Sequence, residues 1–440
     1  MPERARARLL GAGVFAAVVA AFLPALRLPF LTWDDGANVV DNALLRFDGP
    51  GLSFMLTGSK LGHWQPASWL SLALDRALWG GNPLGYHLTN VLLHALGAAL
   101  LFFLARSLKL GGRGEAPAFV AALLWALHPL RVESVAWVTE RRDVLCGVLA
   151  LGAALAYVRS LTEPAWRRAA LALTALAMTA KVFAIVLPAV WLLFDFRLVG
   201  APRWRDKLAY LPLSLAVLAL NLAAQAGSGA SVPLEAFGLS SRLAQAFYGL
   251  AFYPWKTVLP LGLAPLYERS ILLEPRPFSI AAAAVSTFVL LLALTRRRAD
   301  GLVQAALAYA VLLAPALGLF KSGRMVAADR WSYLPAIPLS LLAASAVARA
   351  LKTRAFRAAS AAALFALAFA TRAQLPVWSS DTALWTRAVS ASPLSWFALE
   401  RLSEAEAAAG RPAAAQAILE QSKTLHAFVN NLAERVRAGE

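Results

Sequence analysis

Two adjacent carboxylates, Asp34 and Asp35, follow a long apolar run and its closing Trp33. Where a chain leaves a bilayer, a carboxylate can take the proton of an acceptor hydroxyl. A pair can also hold a divalent cation, Mg or Mn, against a phosphate. The plain alternative is that one of them caps the next helix. Further on come Glu133, Glu140, Arg141, Arg142 and Asp143, then Lys181 between two short apolar stretches, then Lys321, Arg324, Asp329, Arg330 and Tyr333. Guanidinium groups match phosphate and carboxylate geometry. Together these types suggest transfer to a hydroxyl from a phosphate leaving group. Asp34 or Asp35 would be the base, and Arg141, Arg142, Lys181, Lys321 and Arg330 the pool that neutralises the phosphate.

Other residues are candidates for substrate contacts. His63, in Gly62-His63-Trp64-Gln65-Pro66, can meet a phosphate or a sugar hydroxyl. Glu133, Trp137 and Glu140 are spaced for one helical face. Arg330 with Tyr333 reads as a phosphate and sugar clamp. Each has a structural alternative: ion pairs of Arg141 and Arg142 with Glu140 or Asp143, an Asp329–Arg330 pair, a snorkelling Lys181. His87, Asn90 and His94 share a face of one helix, where they line a polar cavity or bond to neighbouring helices.

The elements that position these residues are transmembrane helices. Of 440 residues 59% are hydrophobic and 15% charged, with mean hydropathy +0.60, against about 25% charged in soluble domains. Apolar runs at 9–31, 87–105, 169–196, 280–295 and 302–320 lack period-2 alternation, so helices are expected and a barrel is not. Basic clusters at 106–113, 159–168, 197–207, 296–298 and 349–357 read as cytoplasmic loops. That places the N-terminus inside and the chemistry-bearing segments outside, with about eleven crossings. Charge parity makes 241–260 re-entrant or interfacial. The expected location is a bacterial inner membrane, with a transmembrane domain over 1–372, its acidic external loop at 32–85, and an external helical tail over 373–440, periplasmic or extracellular. In that tail a helix, a Gly-containing turn and a second helix resemble one tetratricopeptide repeat. The alternative is a generic helical hairpin.

The net charge of +17 is assigned to loop anchors and to attraction for anionic lipid; no nucleic-acid motif is present. The single Cys146 rules out an intrachain disulfide and a Cys-based metal site. Walker, Rossmann, Gly-x-Ser-x-Gly and His-Glu-x-x-His patterns are missing, which leaves a lipid-linked donor for an enzyme. A membrane scaffold that binds partners through its tail, or a lipid-linked sugar transporter, are the rival classes.

The strings Leu31-Thr32-Trp33-Asp34-Asp35, Gly62-His63-Trp64-Gln65-Pro66, Pro83-Leu84-Gly85-Tyr86-His87-Leu88-Thr89-Asn90, His128-Pro129-Leu130-Arg131-Val132-Glu133-Ser134-Val135-Ala136-Trp137 and Asp329-Arg330-Trp331-Ser332-Tyr333-Leu334-Pro335 together resemble the transmembrane-and-tetratricopeptide-repeat O-mannosyltransferases and their bacterial relatives. The resemblance implies a GT-C fold, an acidic catalytic residue at Asp34 or Asp35, a polyprenyl-phosphate sugar donor and a protein or glycan acceptor. With about one repeat in the tail, acceptor recognition through many repeats is not implied. The composition favours undecaprenyl phosphate as the lipid.

Overall fold

The computed structural model describes residues 2–109, 115–229, 232–234, 237–269, 274–295, 300–319, 323–348 and 350–438. Helices dominate, and the described residues form no strand beyond two isolated bridges. Five helical spans are long and apolar enough to cross a membrane: Glu3–Arg27, Pro83–Ser107, Val138–Ser160, Pro275–Leu294 and Arg354–Trp378. The pair Ala116–Ala126 and Pro129–Ala136, bent by 55°, forms a sixth if taken as one span. Trp166–Ala180, Leu187–Leu198, Leu211–Gly227, Asp300–Leu313 and Ala336–Val347 are shorter. Five to six spans are thus long and apolar enough to cross, against the eleven crossings expected from charge. The chain is a helical, multi-pass membrane protein.

Arg141–Ser160 runs through the middle, packed on Pro83–Ser107 and Trp166–Ala180. It can do so because its inner face is small: Gly147, Ala150, Ala153, Ala154 and Ala156 are buried. With little hydrophobic drive between helices in lipid, such close approach supplies the packing. At Gly147 an added Cβ would lie 2.5 Å from the Tyr333 ring.

The two ends of the bundle differ. At one, Arg6 and Arg106 pair with Glu115, and Arg106 also with Glu3. At the other lie Trp33, Asp34, the 138–140 turn, Lys181 and Arg330. Leu239–Val258 is tied to its neighbours near both of its ends. Arg242 Nη1 donates to the Leu319 carbonyl at 2.7 Å, and His128 Nε2 donates to that of Thr257 at 3.0 Å. Leu239, Leu243, Trp255 and Val258 are exposed. The helix is not among those long and apolar enough to cross a membrane.

The tail is built into the bundle. After Arg354–Gln374 the chain continues through Leu375–Trp378 into Asp381–Ala391, and Trp378, Leu384, Trp385 and Ala388 join the same apolar core as the transmembrane residues. Trp396–Ala408 and Pro412–Ala438 then form the expected antiparallel pair, turning at Gly410 with φ +76°.

Candidate active site

The site is assembled from breaks in helices. Lys181 is extended, with φ −151° and ψ 129°, between Trp166–Ala180 and Val182–Val186. Glu140 ends the short turn Val138–Glu140 that opens Arg141–Ser160. Glu133 lies on Val132–Ala136 and Arg330 on Asp329–Ser332. These breaks bring together side chains from three distant stretches, 133–143, Lys181 and Arg330.

Glu140 is the hub. Fully buried, it accepts from Arg142 Nε at 3.0 Å and Lys181 Nζ at 3.3 Å, and pairs with Arg330 Nε at 3.2 Å. Lys181 Nζ also donates to Asp143 at 2.5 Å, whose second oxygen accepts from Ser134 Oγ at 3.0 Å. Glu133 accepts from the Arg330 backbone N–H at 2.8 Å and from its guanidinium. Three cations and three carboxylates thus neutralise one another, as low-dielectric burial requires.

Asp34 and Asp35 have separate surroundings. Asp35, 1% exposed, accepts from the backbone N–H of Leu31 at 3.1 Å and from the N–H and hydroxyl of Thr139 at 2.8 and 2.7 Å. Burial outweighs those bonds and pushes its carboxyl up to about 6. It clamps the exit of the first helix to the 138–140 turn. The half-buried Asp34 side chain accepts no hydrogen bond among the described residues, and it feels Arg142, Arg330 and Glu140. Burial raises its pKa, while the two arginines oppose the rise. His63 faces the same charges. Burial first, and Arg142 next, push its pKa down to about 3, so its imidazole is neutral at pH 7.

An aromatic layer adjoins the charges. Trp33 stacks on Trp137 at 4.4 Å and 17°, and the Arg330 guanidinium lies 5.4 Å from the Trp137 ring centre. Trp385 of the tail meets Trp33 at 5.2 Å, and Asp381 accepts from the Thr32 N–H at 2.9 Å.

Of the residues singled out in the sequence, Asp34, His63, Glu133, Glu140, Arg142, Lys181 and Arg330 meet here, with Asp35 behind them. Two are elsewhere. Arg141 turns away and spends its donors on Asn90 (2.5 Å), Ser71 (2.8 Å), Asp75 (2.5 Å) and the Tyr86 carbonyl (2.9 Å). It is a structural pin, because residues next to each other at a helix start point in different directions. Tyr333 is not a sugar clamp: buried, its hydroxyl bonds His94 Nδ1 at 2.8 Å, and its carbonyl accepts from Trp125 Nε1 at 2.8 Å. His94 Nε2 in turn donates to the Ala126 carbonyl at 3.0 Å, so the imidazole ties helices together. Asp329 does not pair with Arg330; it accepts from Tyr267 at 2.9 Å. Lys321 lies outside the described residues. Sequence reading missed Thr139 as a site member and Asp381 as a partner, and it gave Asp143 as a partner of the arginines where the structure pairs it with Lys181. A threonine two residues before the start of Arg141–Ser160 carries no signal of its own.

The described residues contain no group of three or more His, Cys, Asp or Glu arranged to hold a metal ion, and Glu133, Glu140 and Asp143 are taken up by Arg and Lys. The side chains present do not form a cation cage.

No family model matches the chain. Among curated proteins it is 38% identical to protein O-mannosyl-transferase Tmtc1 of Drosophila melanogaster over 131 residues, 30% of this chain and 15% of that one. It is 39% identical to human TMTC1 over 100 residues, covering 23% and 11%, and 29% identical to mouse TMTC4 over 198 residues, covering 38% and 27%. The aligned portion is therefore a small part of those relatives' length. A crystal structure of ArnT from Cupriavidus metallidurans bound to undecaprenyl phosphate aligns with 96% of this chain and 75% of its own, at TM-score 0.41 and 15% identity. Over its aligned portion the chain is similar in sequence to the transmembrane O-mannosyl-transferases, the family that its motifs indicate.

Proposed function

We propose that the protein is an integral-membrane glycosyltransferase of the GT-C type that moves a sugar from a polyprenyl-phosphate donor, with undecaprenyl as the lipid, to a hydroxyl of a protein or glycan at the non-cytoplasmic face. The observation that carries this reading is the contrast within the aspartate pair. Asp35 is consumed by structure, whereas Asp34 offers an unbonded carboxylate beside Arg142 and Arg330.

In the proposed step, Asp34 takes the proton of the acceptor hydroxyl as that oxygen bonds to the anomeric carbon. The bond from the anomeric carbon to the phosphate oxygen breaks, and its electron pair leaves with the lipid phosphate. Attack from the face opposite the leaving group inverts the anomeric centre. One negative charge disappears from Asp34 as one appears on the phosphate, so the site's net charge is unchanged along the path. The cations Arg142, Lys181 and Arg330 stabilise the leaving group, pre-oriented by Glu140, Glu133 and Asp143. Neutral His63 is suited to a hydrogen bond with a sugar hydroxyl or a phosphate oxygen. The step needs no metal in this form.

The test is transfer by the purified chain supplied with native polyprenyl-linked sugars. Asp34→Asn is expected to lower turnover by about 10²-fold or more with the fold and donor affinity kept. Full activity of Asp34→Asn would sink the role of Asp34 as the base, and no transfer by the unaltered chain would sink the enzyme reading in favour of a scaffold or transporter.

A further inference from the structure

The end of the bundle opposite Asp34 carries an arrangement that the transfer chemistry does not use. The first turns of Glu3–Phe22, Ala116–Ala126 and Arg354–Gln374 meet there around a groove lined by Arg6, Leu10, Phe119, Arg357, Ser360 and Leu364, among others. All three helices enter the bundle from this end, so residue number increases with depth. Arg6 stands one turn above Leu10, Glu115 one turn above Phe119, and Arg357 and Ser360 above Leu364. The groove is consequently polar at its rim and apolar below.

The rim is unbalanced in charge. Glu115 is held by Arg6 at 2.9 Å and by Arg106 at 3.3 Å, and Arg106 also reaches Glu3 at 3.2 Å. Three guanidiniums therefore face two carboxylates. Arg357 is exposed and has no carboxylate partner among the described residues. Ser360 is one turn along on its face. A free guanidinium and a hydroxyl above an apolar wall match a phosphate joined to an acyl chain. Basic pockets between transmembrane helices are where anionic headgroups settle. A choline headgroup would instead bring its own cation against Arg6 and Arg357.

We infer that this groove is a binding site for an anionic phospholipid, with its phosphate on Arg357 and Ser360 and one acyl chain along Leu10, Phe119 and Leu364. The site is separate from the proposed transfer chemistry and stands whether or not that proposal holds.

The test titrates the full chain in mild detergent with phosphatidylglycerol and, separately, phosphatidylcholine, and counts bound lipid by native mass spectrometry. One phosphatidylglycerol is expected to be retained in preference to phosphatidylcholine. Arg357→Gln should weaken that binding about fivefold. Arg354→Gln, on the same helix and exposed but outside the groove, should leave it unchanged. Excess inorganic phosphate should not displace the lipid, because the apolar wall gives it nothing to bury. Equal retention of both lipids, equal loss in the two arginine variants, or displacement by phosphate alone would each overturn the inference.

Discussion

Asp34 and Asp35 are chemically identical neighbours, and only three-dimensional surroundings separate them. Asp35→Ala leaves the Leu31 and Thr139 donors unsatisfied in the interior, a cost of about 1–3 kcal/mol for each stranded group. The expected outcome is a lower Tm and a lower yield of monodisperse protein, in contrast to Asp34→Asn, which keeps both. The pH dependence follows from the same burial. A base works only when ionised, and burial lifts the Asp34 pKa above its usual 3.8. Activity should therefore fall as pH drops through that raised value, and the acid limb should sit above the ordinary aspartate range. Arg142→Gln removes a cation that opposes the rise, so it should move that limb to still higher pH in a kcat–pH profile. An unmoved limb would separate Asp34 from the observed ionisation. The types in the sequence thus marked residues that meet in the structure, while the difference between Asp34 and Asp35 depended on Thr139, which nothing in the sequence marks.

At the scale of elements, hydropathy and loop charge were sufficient for the helices, because lipid forces every backbone group into an internal hydrogen bond. What could not be read was azimuth. Arg141 and Arg142 are adjacent, and a helix start turns one toward Asp75 and the other toward Glu140. Tyr333 shows the same limit: its position beside Arg330 suggested a ligand contact, yet the turn at Asp329–Ser332 sends it inward to His94. The roles predict opposite phenotypes. Tyr333→Phe strands His94 Nδ1 and should cost about 1–3 kcal/mol of stability, with donor KM unchanged. Gly147→Val drives a side chain into the Tyr333 ring and should cost about 1–3 kcal/mol by overpacking. Thermal melts in detergent check both, and a raised KM in Tyr333→Phe at unchanged Tm would restore the clamp.

At the scale of the whole molecule, the charge pattern that separates the two ends of the bundle is joined to a tail that the sequence presents as an appendage. Polar, Ala-rich composition after Arg372 suggested a boundary, but Trp378 and Trp385 bury their rings among transmembrane residues, and Trp385 touches Trp33 next to Asp34. Large aromatics in a polar stretch were the available signal. The tail therefore has two parts with different consequences. A chain ending at 372 loses Trp378, Leu384, Trp385 and Asp381, and with them the cover over the Trp33–Trp137 stack. Even Trp385→Ala alone should cost about 3–5 kcal/mol, and the truncation is expected to yield aggregated protein. A chain ending at 410 loses Arg411, with its pair to Glu406, and Pro412–Ala438, which packs on Trp396–Ala408. That chain should remain monodisperse by size-exclusion chromatography and, under the proposed function, match the intact chain in its affinity for undecaprenyl phosphate. Any loss of transfer with donor binding kept would then assign the last helix to the acceptor. Loss of donor binding as well would mean that the hairpin supports the site through contacts beyond Asp381 and Trp385.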